Sequence, residues 1–123
     1  MIRVSIDREA KLVTATCEGT LTDADLEAYI NTNWSADELT YDELFVAANI
    51  SANMTFGEML EHGDRAGRYN QFTEGSPKSA IVANEPEIIA LAKFFMATQS
   101  LKDSREVQLF ESEELALAWL GKS

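Results

Sequence analysis

The sequence predicts a single α/β domain with a mixed, mostly parallel five-stranded sheet and four helices. Short alternating or apolar segments typical of strands are followed in turn by segments whose apolar residues recur at helical spacing. The predicted order is β-β-α-β-α-β-α-β-α, and one domain over residues 1–123 fits the length of the chain. Strands that alternate with helices imply right-handed crossovers, so only the N-terminal hairpin is expected to be antiparallel.

The N-terminal segment predicts a β-hairpin followed by a helix. Apolar and polar residues alternate over 2–7 and again over 13–18, which is the pattern of strands with one buried face. Thr22 is the predicted N-cap of the first helix, because an acidic residue follows at the third helical position. The expected buried stripe of this helix is Leu26, Tyr29, Ile30 and Trp34.

The rest of the chain repeats the pattern of strand, polar turn and capped helix. The apolar run 44–48 is typical of a central strand covered on both faces. Thr55 and Glu58 form a capping box that opens the second helix, and Gln71–Pro77 is a loop by composition. The last predicted elements are a strand at 80–83, a helix opened by Pro86, a strand at 107–110 and a helix capped by Ser112.

The charge of the chain disfavours nucleic acid as a partner. The net charge is -11, and residues 12–64 contain eleven acids but no lysine or arginine. A phosphate backbone needs clustered basic residues, which this segment lacks. Two interpretations remain open: an acidic face that meets a basic protein, or a solvated surface that keeps the protein soluble.

The apolar segments and the cysteine content indicate a cytoplasmic protein without a membrane span. No segment reaches the roughly 18 unbroken apolar residues that a spanning helix requires, and the N-terminus alternates like a strand rather than a secretory signal. Cys17 is the only cysteine, so it cannot form an internal disulfide, and it is expected to be a small buried residue.

Four groups of residues, spread over nearly the whole chain, carry a resemblance to a known family. They are Gly19-Thr20-Leu21-Thr22 with Asp25-Leu26, Tyr41-Asp42-Glu43-Leu44, Ala80-Ile81-Val82-Ala83, and Phe110 with Leu115-Ala116-Leu117-Ala118-Trp119-Leu120. In this order and spacing they resemble the SpoIIAA-like domains, which are grouped with the STAS anti-sigma-factor antagonists and the CRAL-TRIO lipid-binding domains. The resemblance implies the same fold. It also implies a superfamily that spans phosphorylation-controlled partner binding and apolar ligand binding.

The loop after the third strand is the first candidate site, because ligands of parallel α/β folds gather at the carboxyl ends of strands. The resemblance to STAS antagonists implies a phosphorylatable serine behind an aspartate at this place. Ser51 falls near that position, although Asn49 replaces the acid. The candidate phosphosite or anion loop is therefore Ser51, Asn53 and Thr55, and the alternative is that these are ordinary turn and cap residues.

Glu58 and His62 are a second candidate, because their spacing places them on one helix face where they could bind a metal or exchange a proton. The chain has no second histidine or cysteine to complete a ligand set beside them. We expect a solvated helix face here, and we predict no metal and no cofactor.

The third candidate is apolar and lies on the second and third helices. Its residues are Met54, Phe56, Met59, Phe94, Phe95 and Met96. Three consecutive helical residues point in different directions, so at least one of the last three is expected to be exposed or to line a groove. Such residues could be core, a subunit contact or a lipid pocket.

The sequence therefore predicts a non-enzymatic binding or regulatory module that acts through protein contacts, with a partner or with itself as a homodimer. No nucleophile with its base and no phosphate-binding loop is recognisable. The alternative is a carrier or sensor of a small apolar or lipid ligand held between the helices and the sheet.

Overall fold

The computed structural model of this chain describes residues 1–70, 77–100 and 106–122. Within these ranges, no helix combines the length and the apolar character needed to cross a lipid bilayer. The loop predicted at Gln71–Pro77 lies outside the described residues, except for Pro77, which is buried.

The described residues form four helices and the five predicted strands, with two short additional strands. In chain order the elements are β1 (Ile2–Asp7), β2 (Leu12–Cys17), β3 (Thr20–Thr22), α1 (Asp23–Ile30), β4 (Asp42–Ala47), β5 (Ser51–Asn53), α2 (Phe56–Asn70), β6 (Lys78–Ala83), α3 (Pro86–Ser100), β7 (Glu106–Phe110) and α4 (Glu113–Leu120). A single 3₁₀ turn, Glu38–Thr40, precedes β4.

Five of the strands form one mixed sheet in the order β1-β2-β4-β6-β7. β1 runs antiparallel to β2, with Ile2 opposite Cys17, and every other neighbouring pair in this sheet is parallel. Because the strand order follows the chain in one direction, right-handed crossovers through α1, α2 and α3 place these helices on the same face. The predicted mixed, mostly parallel sheet is confirmed, and β4 is its central strand.

The two faces of the sheet carry separate hydrophobic clusters, because side chains alternate along each strand. On one face, Leu44 and Val46 of β4 pack with Ala116 and Leu120 of α4. The other cluster lies beneath α1, α2 and α3 and consists of Cys17, Leu21, Leu26, Ala47, Ile50, Met59, Ala83, Ile88 and Leu91. The central strand is therefore covered on both sides, as its unbroken apolar run predicted.

A second, two-stranded parallel sheet joins β3 to β5, with Leu21 opposite Ala52. The segment after the third predicted strand was expected to be a loop. That expectation is wrong for Ser51–Asn53, which form β5. A three-residue strand is too short to show an alternating pattern, and its partner lies far away in the sequence. Asn49, with φ 59°, adopts the left-handed conformation between β4 and β5, which asparagine tolerates better than most residues.

The first helix has the predicted cap but ends earlier than expected. Thr22 Oγ1 accepts a hydrogen bond from the Asp25 backbone, and the Asp25 carboxylate accepts one from the Thr22 backbone. The helix ends at Ile30, so Trp34, which was expected on its buried stripe, lies beyond it. The polar residues in between have low helix propensity and favour turns. The Trp34 ring still meets Tyr29 edge to face, with centroids 5.7 Å apart.

Candidate functional site

A mostly apolar cavity lies between α1, α2, α3 and the sheet face that these helices cover. Its volume is about 170 Å³. Aliphatic side chains from the helices and from the sheet form most of its wall, among them Leu26, Met59, Ile81, Leu91 and Ala92. A concave apolar site with a few convergent polar groups is the usual form of a small-molecule site in proteins.

Aromatic rings form one side of the cavity. Tyr29 contacts both Trp34, at 5.7 Å, and Phe45, at 5.6 Å between ring centroids, and both pairs are edge to face. Phe95 of α3 also lines the cavity. Aromatic rings attract a planar ligand, which packs against them offset or edge to face.

His62, the only histidine of the chain, lies on the cavity side of α2 and is buried, with 2% of its surface exposed. Its Nε2 lies 2.6 Å from Oδ1 of Asp23, in the first turn of α1. The expectation of a solvated helix face for His62 beside Glu58 is wrong, because α1 covers this part of α2. Glu58 instead accepts a hydrogen bond from the Thr55 backbone at 2.8 Å.

Gln99 of α3 also lines the cavity, and it is as deeply buried as His62. Its Nε2 donates to the backbone oxygen of Gly63, the neighbour of His62, at 2.7 Å. Because a carbonyl oxygen can only accept, this bond fixes which end of the amide is nitrogen. The two helices approach closely here, since a Cβ at Gly63 would lie 2.2 Å from Oγ1 of Thr98.

Two buried polar atoms of this pair, His62 Nδ1 and Gln99 Oε1, have no hydrogen-bond partner in the part of the chain that the structure describes. In a neutral imidazole, the nitrogen that faces a carboxylate carries the hydrogen, so Nδ1 is left as an acceptor. Leaving such an atom unsatisfied costs about 1–3 kcal/mol, and native proteins rarely do so without a reason. When the ring is neutral, two residues that line the cavity, His62 and Gln99, therefore each have an acceptor without a donor among the described residues.

Carboxylates stand at the end of the cavity where β4 begins. Glu43 accepts a hydrogen bond from the Tyr29 hydroxyl. Glu38 accepts one from the Ser35 backbone and one from Arg8, both at 2.9 Å. These bonds, that of the Ser35 backbone above all, hold the pKa of Glu38 below its ordinary value. Among the described residues that line the cavity there is no lysine or arginine, so the formal charge of this described lining, apart from His62, is negative.

The His62–Asp23 pair has the arrangement of a general base and its orienting carboxylate. Within the described residues, however, no hydroxyl or thiol lies within hydrogen-bond distance of the free ring nitrogen. Cys17 is buried, and burial raises the pKa of its thiol to about 12, so it remains protonated and unreactive. No group of three His, Cys, Asp or Glu in the described ranges could hold a metal ion. The described geometry supports binding better than chemistry.

Part of the cavity lining lies near the amino ends of the parallel strands. Val13, Glu43, Ser79 and Val107 line it, and each is the second residue of its strand. The first candidate site was predicted at the carboxyl ends of the strands, where ligands of this architecture usually bind. That rule concerns the crevice outside the edge of the sheet, whereas this cavity lies on its face, beneath the helices.

Of the six apolar residues that were predicted as a ligand or partner surface, two line the cavity and four do not. Met59 and Phe95 line the cavity, and Met59 is buried. Met54 packs against the rim of the cluster beneath the helices. The cavity therefore takes only part of the predicted set, and residues of α1, of the sheet and of the rest of α3 also line it.

The other predicted apolar residues, Phe56, Phe94 and Met96, are not among the residues that line the cavity, and Leu60, which was not in the predicted set, lies one turn after Phe56 on α2. Phe56 and Leu60 are each 52% exposed, and the Phe56 ring meets Phe94 edge to face at 5.3 Å. Met96, on α3, is half-buried. We call Phe56, Leu60 and Phe94 the α2–α3 patch.

The predicted phosphosite or anion loop lies beyond the carboxyl end of β4. All three of its residues are exposed, namely Ser51, Asn53 and Thr55. The hydroxyl groups of Ser51 and Thr20 are 3.0 Å apart, and Thr55 Oγ1 accepts a hydrogen bond from the Glu58 backbone at 3.1 Å. Glu87 contributes a carboxylate nearby, which accepts from the backbone between Ser51 and Asn53 at 3.0 Å. Anion binding here stays a prediction.

Sequence reasoning missed His62 and Gln99 as paired cavity residues, although the sequence contains a signal for each. Met59, His62 and Ala66 recur at helical spacing, and Gln99 stands four residues after Phe95. Both are polar residues on an otherwise apolar helical stripe. A buried polar side chain is more informative than a buried apolar one.

Most acids of residues 12–64, the segment without lysine or arginine, have partners within the domain. For example, Asp42 accepts a hydrogen bond from the Lys78 backbone at 2.8 Å and lies 3.4 Å from Lys122 Nζ. The acids with a hydrogen bond or an ion pair include Glu18, Asp23, Asp25, Glu27, Asp37, Glu38, Asp42, Glu43 and Glu58. Much of the negative charge therefore supports the fold locally.

Comparison with known proteins found no family model, no curated protein and no solved structure that matches this chain.

Proposed function

We propose that this chain is a non-enzymatic binding domain for a small, largely apolar molecule held between α1, α2, α3 and the sheet. The observation that carries this proposal is the cavity of about 170 Å³ with buried His62 and Gln99 in its wall. A void left only by imperfect packing would be lined by apolar atoms, whereas two neighbouring polar groups here lack partners within the described residues.

Relationship to the SpoIIAA-like domains is part of the proposal. The strand order and the mixed five-stranded sheet support it, together with the residue patterns in the sequence. Among the functions that this resemblance implies, the cavity favours apolar ligand binding over phosphorylation-controlled partner binding.

A protein-contact function is the second candidate, and the α2–α3 patch favours it. Phe56 and Leu60 expose half of their surfaces side by side on α2. Exposed neighbouring apolar side chains are a common feature of protein contacts. The patch lies outside the cavity, so one domain could use both.

Thermal denaturation with a chemically varied set of compounds tests the first candidate. The set contains a long-chain alcohol, a fatty acid, an isoprenoid alcohol and small aromatic compounds. A molecule that binds only the folded state stabilises it by about 2.7 kcal/mol at a hundred times its Kd. We expect at least one compound to raise the Tm by several degrees.

Cavity-filling variants locate the binding. Ala92→Leu and Ala66→Leu each add three carbons inside the cavity, so we expect a rise in the free energy of unfolding of about 0.5–2 kcal/mol. The compound that stabilises the unmodified chain should no longer do so. Ala90→Leu on the exposed side of α3 is the matched control and should bind normally. An equal Tm rise in the filled variants, or no rise with any compound, would contradict the proposal.

A further inference from the structure

We infer that the ligand of this cavity is a neutral aromatic compound of one or two rings that carries a hydrogen-bond donor, such as a phenol or an indole. Its donor is received by His62 and Gln99. The inference rests on the proposed function, since it names the class of molecule that the same cavity holds.

The size of the cavity limits the ligand. A volume of about 170 Å³ is below the range of about 300–1,000 Å³ that holds drug-sized molecules. It is close to the roughly 150 Å³ of an engineered protein cavity that takes up benzene. One ring or two fused rings fit such a space, and a long acyl chain does not.

The aromatic side of the cavity favours a planar guest. Tyr29 is held between Trp34 and Phe45, with interplanar angles of 80° and 62°. The hydrogen bond from the Tyr29 hydroxyl to Glu43 fixes the ring further. Rings prefer offset or edge-to-face neighbours, so a rigid guest gains specific contacts against this wall at a small entropy cost.

The polar groups of the wall require a donor from the ligand. Gln99 is bonded to the backbone of Gly63, which directly follows His62, so the two side chains are neighbours across α2 and α3. The unpartnered atoms are Oε1 of the amide and Nδ1 of the imidazole, and both are acceptors when the ring is neutral. An N–H or O–H group on the ligand satisfies them, whereas a carboxylate offers no hydrogen.

The charges of the described lining residues disfavour an anionic ligand. Glu38 and Glu43 line the cavity, and Asp23 holds the far side of the His62 ring. No lysine or arginine stands among the described lining residues to offset them. A fatty-acid carboxylate would be placed near like charges in a poorly solvated site, which is unfavourable.

Calorimetric titration with indole and indene tests whether a hydrogen-bond donor on the ligand strengthens binding. The two compounds share a fused-ring shape, and only indole has an N–H group. At about pH 8 we expect indole to bind roughly tenfold more tightly, because indene leaves the buried acceptors unsatisfied. Decanoate, titrated in parallel, should not bind measurably.

Two variants and one spectroscopic measurement test whether His62 and Gln99 accept the hydrogen bond from the ligand. In His62→Phe and Gln99→Met, the ratio of the two affinities should fall toward one, while Ala90→Leu should keep it. Because His62 is the only histidine, its ring nitrogens are assigned in NMR without ambiguity. The Nδ1 resonance should be that of an unprotonated nitrogen, and it should shift with indole but not with indene.

Four results would contradict the inference, and the last of them would also contradict the proposed function. Equal affinities of indole and indene for the unmodified chain, or an Nδ1 resonance that does not respond to indole, would overturn the inference. Tight binding of decanoate without binding of indole would overturn it and leave the proposed function standing. If none of these compounds and none of the wider set binds, the inference and the proposed function both fall.

Discussion

Gly63 decides how closely α2 and α3 approach beside the cavity. Its backbone oxygen receives the Gln99 amide at 2.7 Å, and its missing side chain leaves room for Thr98. Glycine inside a helix lowers the free energy of unfolding by about 0.5–1 kcal/mol relative to alanine. The close packing of α2 against α3 offsets this loss. The neighbouring position of His62 and Gln99 depends on this single residue.

Gly63→Ala is therefore expected to destabilise the domain. The new Cβ would lie 2.2 Å from Thr98 Oγ1, and the strain of such overpacking costs about 1–3 kcal/mol. Urea denaturation should show a lower free energy of unfolding. Adding Thr98→Ala should restore part of it, since the nearest remaining side-chain atom is Thr98 Cβ at 3.0 Å.

Gly57→Ala on the same helix is the matched control. A Cβ at Gly57 would meet only Thr55 Oγ1, at an ordinary distance of 3.7 Å. We expect this variant to be neutral or up to about 1 kcal/mol more stable, because alanine has the higher helix propensity. Similar losses in both glycine variants would show that the contact with Thr98 does not set the cost.

At the level of elements, the start of α2 matters because this helix carries His62. Thr55 and Glu58 form the predicted capping box, with hydrogen bonds of 2.8 and 3.1 Å in both directions. The same hydroxyl was a candidate for an anion loop, but it already serves the helix. A cap that satisfies two backbone donors fixes where the helix begins.

Thr55→Ala should lower the free energy of unfolding by about 1 kcal/mol, and Thr55→Ser should retain most of the stability, because serine caps equally well. Chemical denaturation of both variants measures this. Ser112→Ala removes the corresponding cap of α4, where Ser112 Oγ accepts from the Leu115 backbone at 3.3 Å, and should cost a similar amount. If Thr55→Ser were as unstable as Thr55→Ala, the methyl group rather than the cap bond would account for the loss.

At the level of the whole molecule, the high negative charge is organised into local bonds, and Glu38 is an example. Arg8 in the β1–β2 turn and the Ser35 backbone both donate to it, which ties the turn to the segment before β4. The pKa of Glu38 is lowered from an ordinary value of 4.5. A carboxylate with a lowered pKa stabilises the fold above its unfolded pKa, and this contribution is lost as the pH falls through the folded value.

Glu38→Gln should therefore be less stable than the unmodified chain at about pH 7, and the difference should shrink as the pH falls below about 4. Urea midpoints at several pH values give the comparison. Glu111→Gln, at another exposed acid, is the matched control for the loss of one negative charge, and the change of difference with pH should be larger for Glu38→Gln. A difference that stays constant from neutral to acidic pH would mean that the loss is not due to the charge of Glu38.

The order of the elements could be predicted because each has a local cause. The capping boxes at Thr22 and Thr55, Pro86 at the start of α3 and Ser112 at the start of α4 depend on neighbouring residues alone. The alternating and unbroken apolar runs likewise gave the five main strands and the central place of β4. The mixed sheet followed from the crossover rule.

The cavity depended on tertiary contacts that no local pattern contains. His62 is buried because α1 brings Asp23 over it, and Gln99 meets Gly63 because α2 and α3 pack closely. The short β3–β5 pairing and the position of Trp34 against Tyr29 also join residues that the sequence pattern did not relate. The sequence thus determined the elements and the sides they bury, because caps and periodicity are local. Only the packing of three helices on the sheet decided which buried side chains border a space large enough for a ligand.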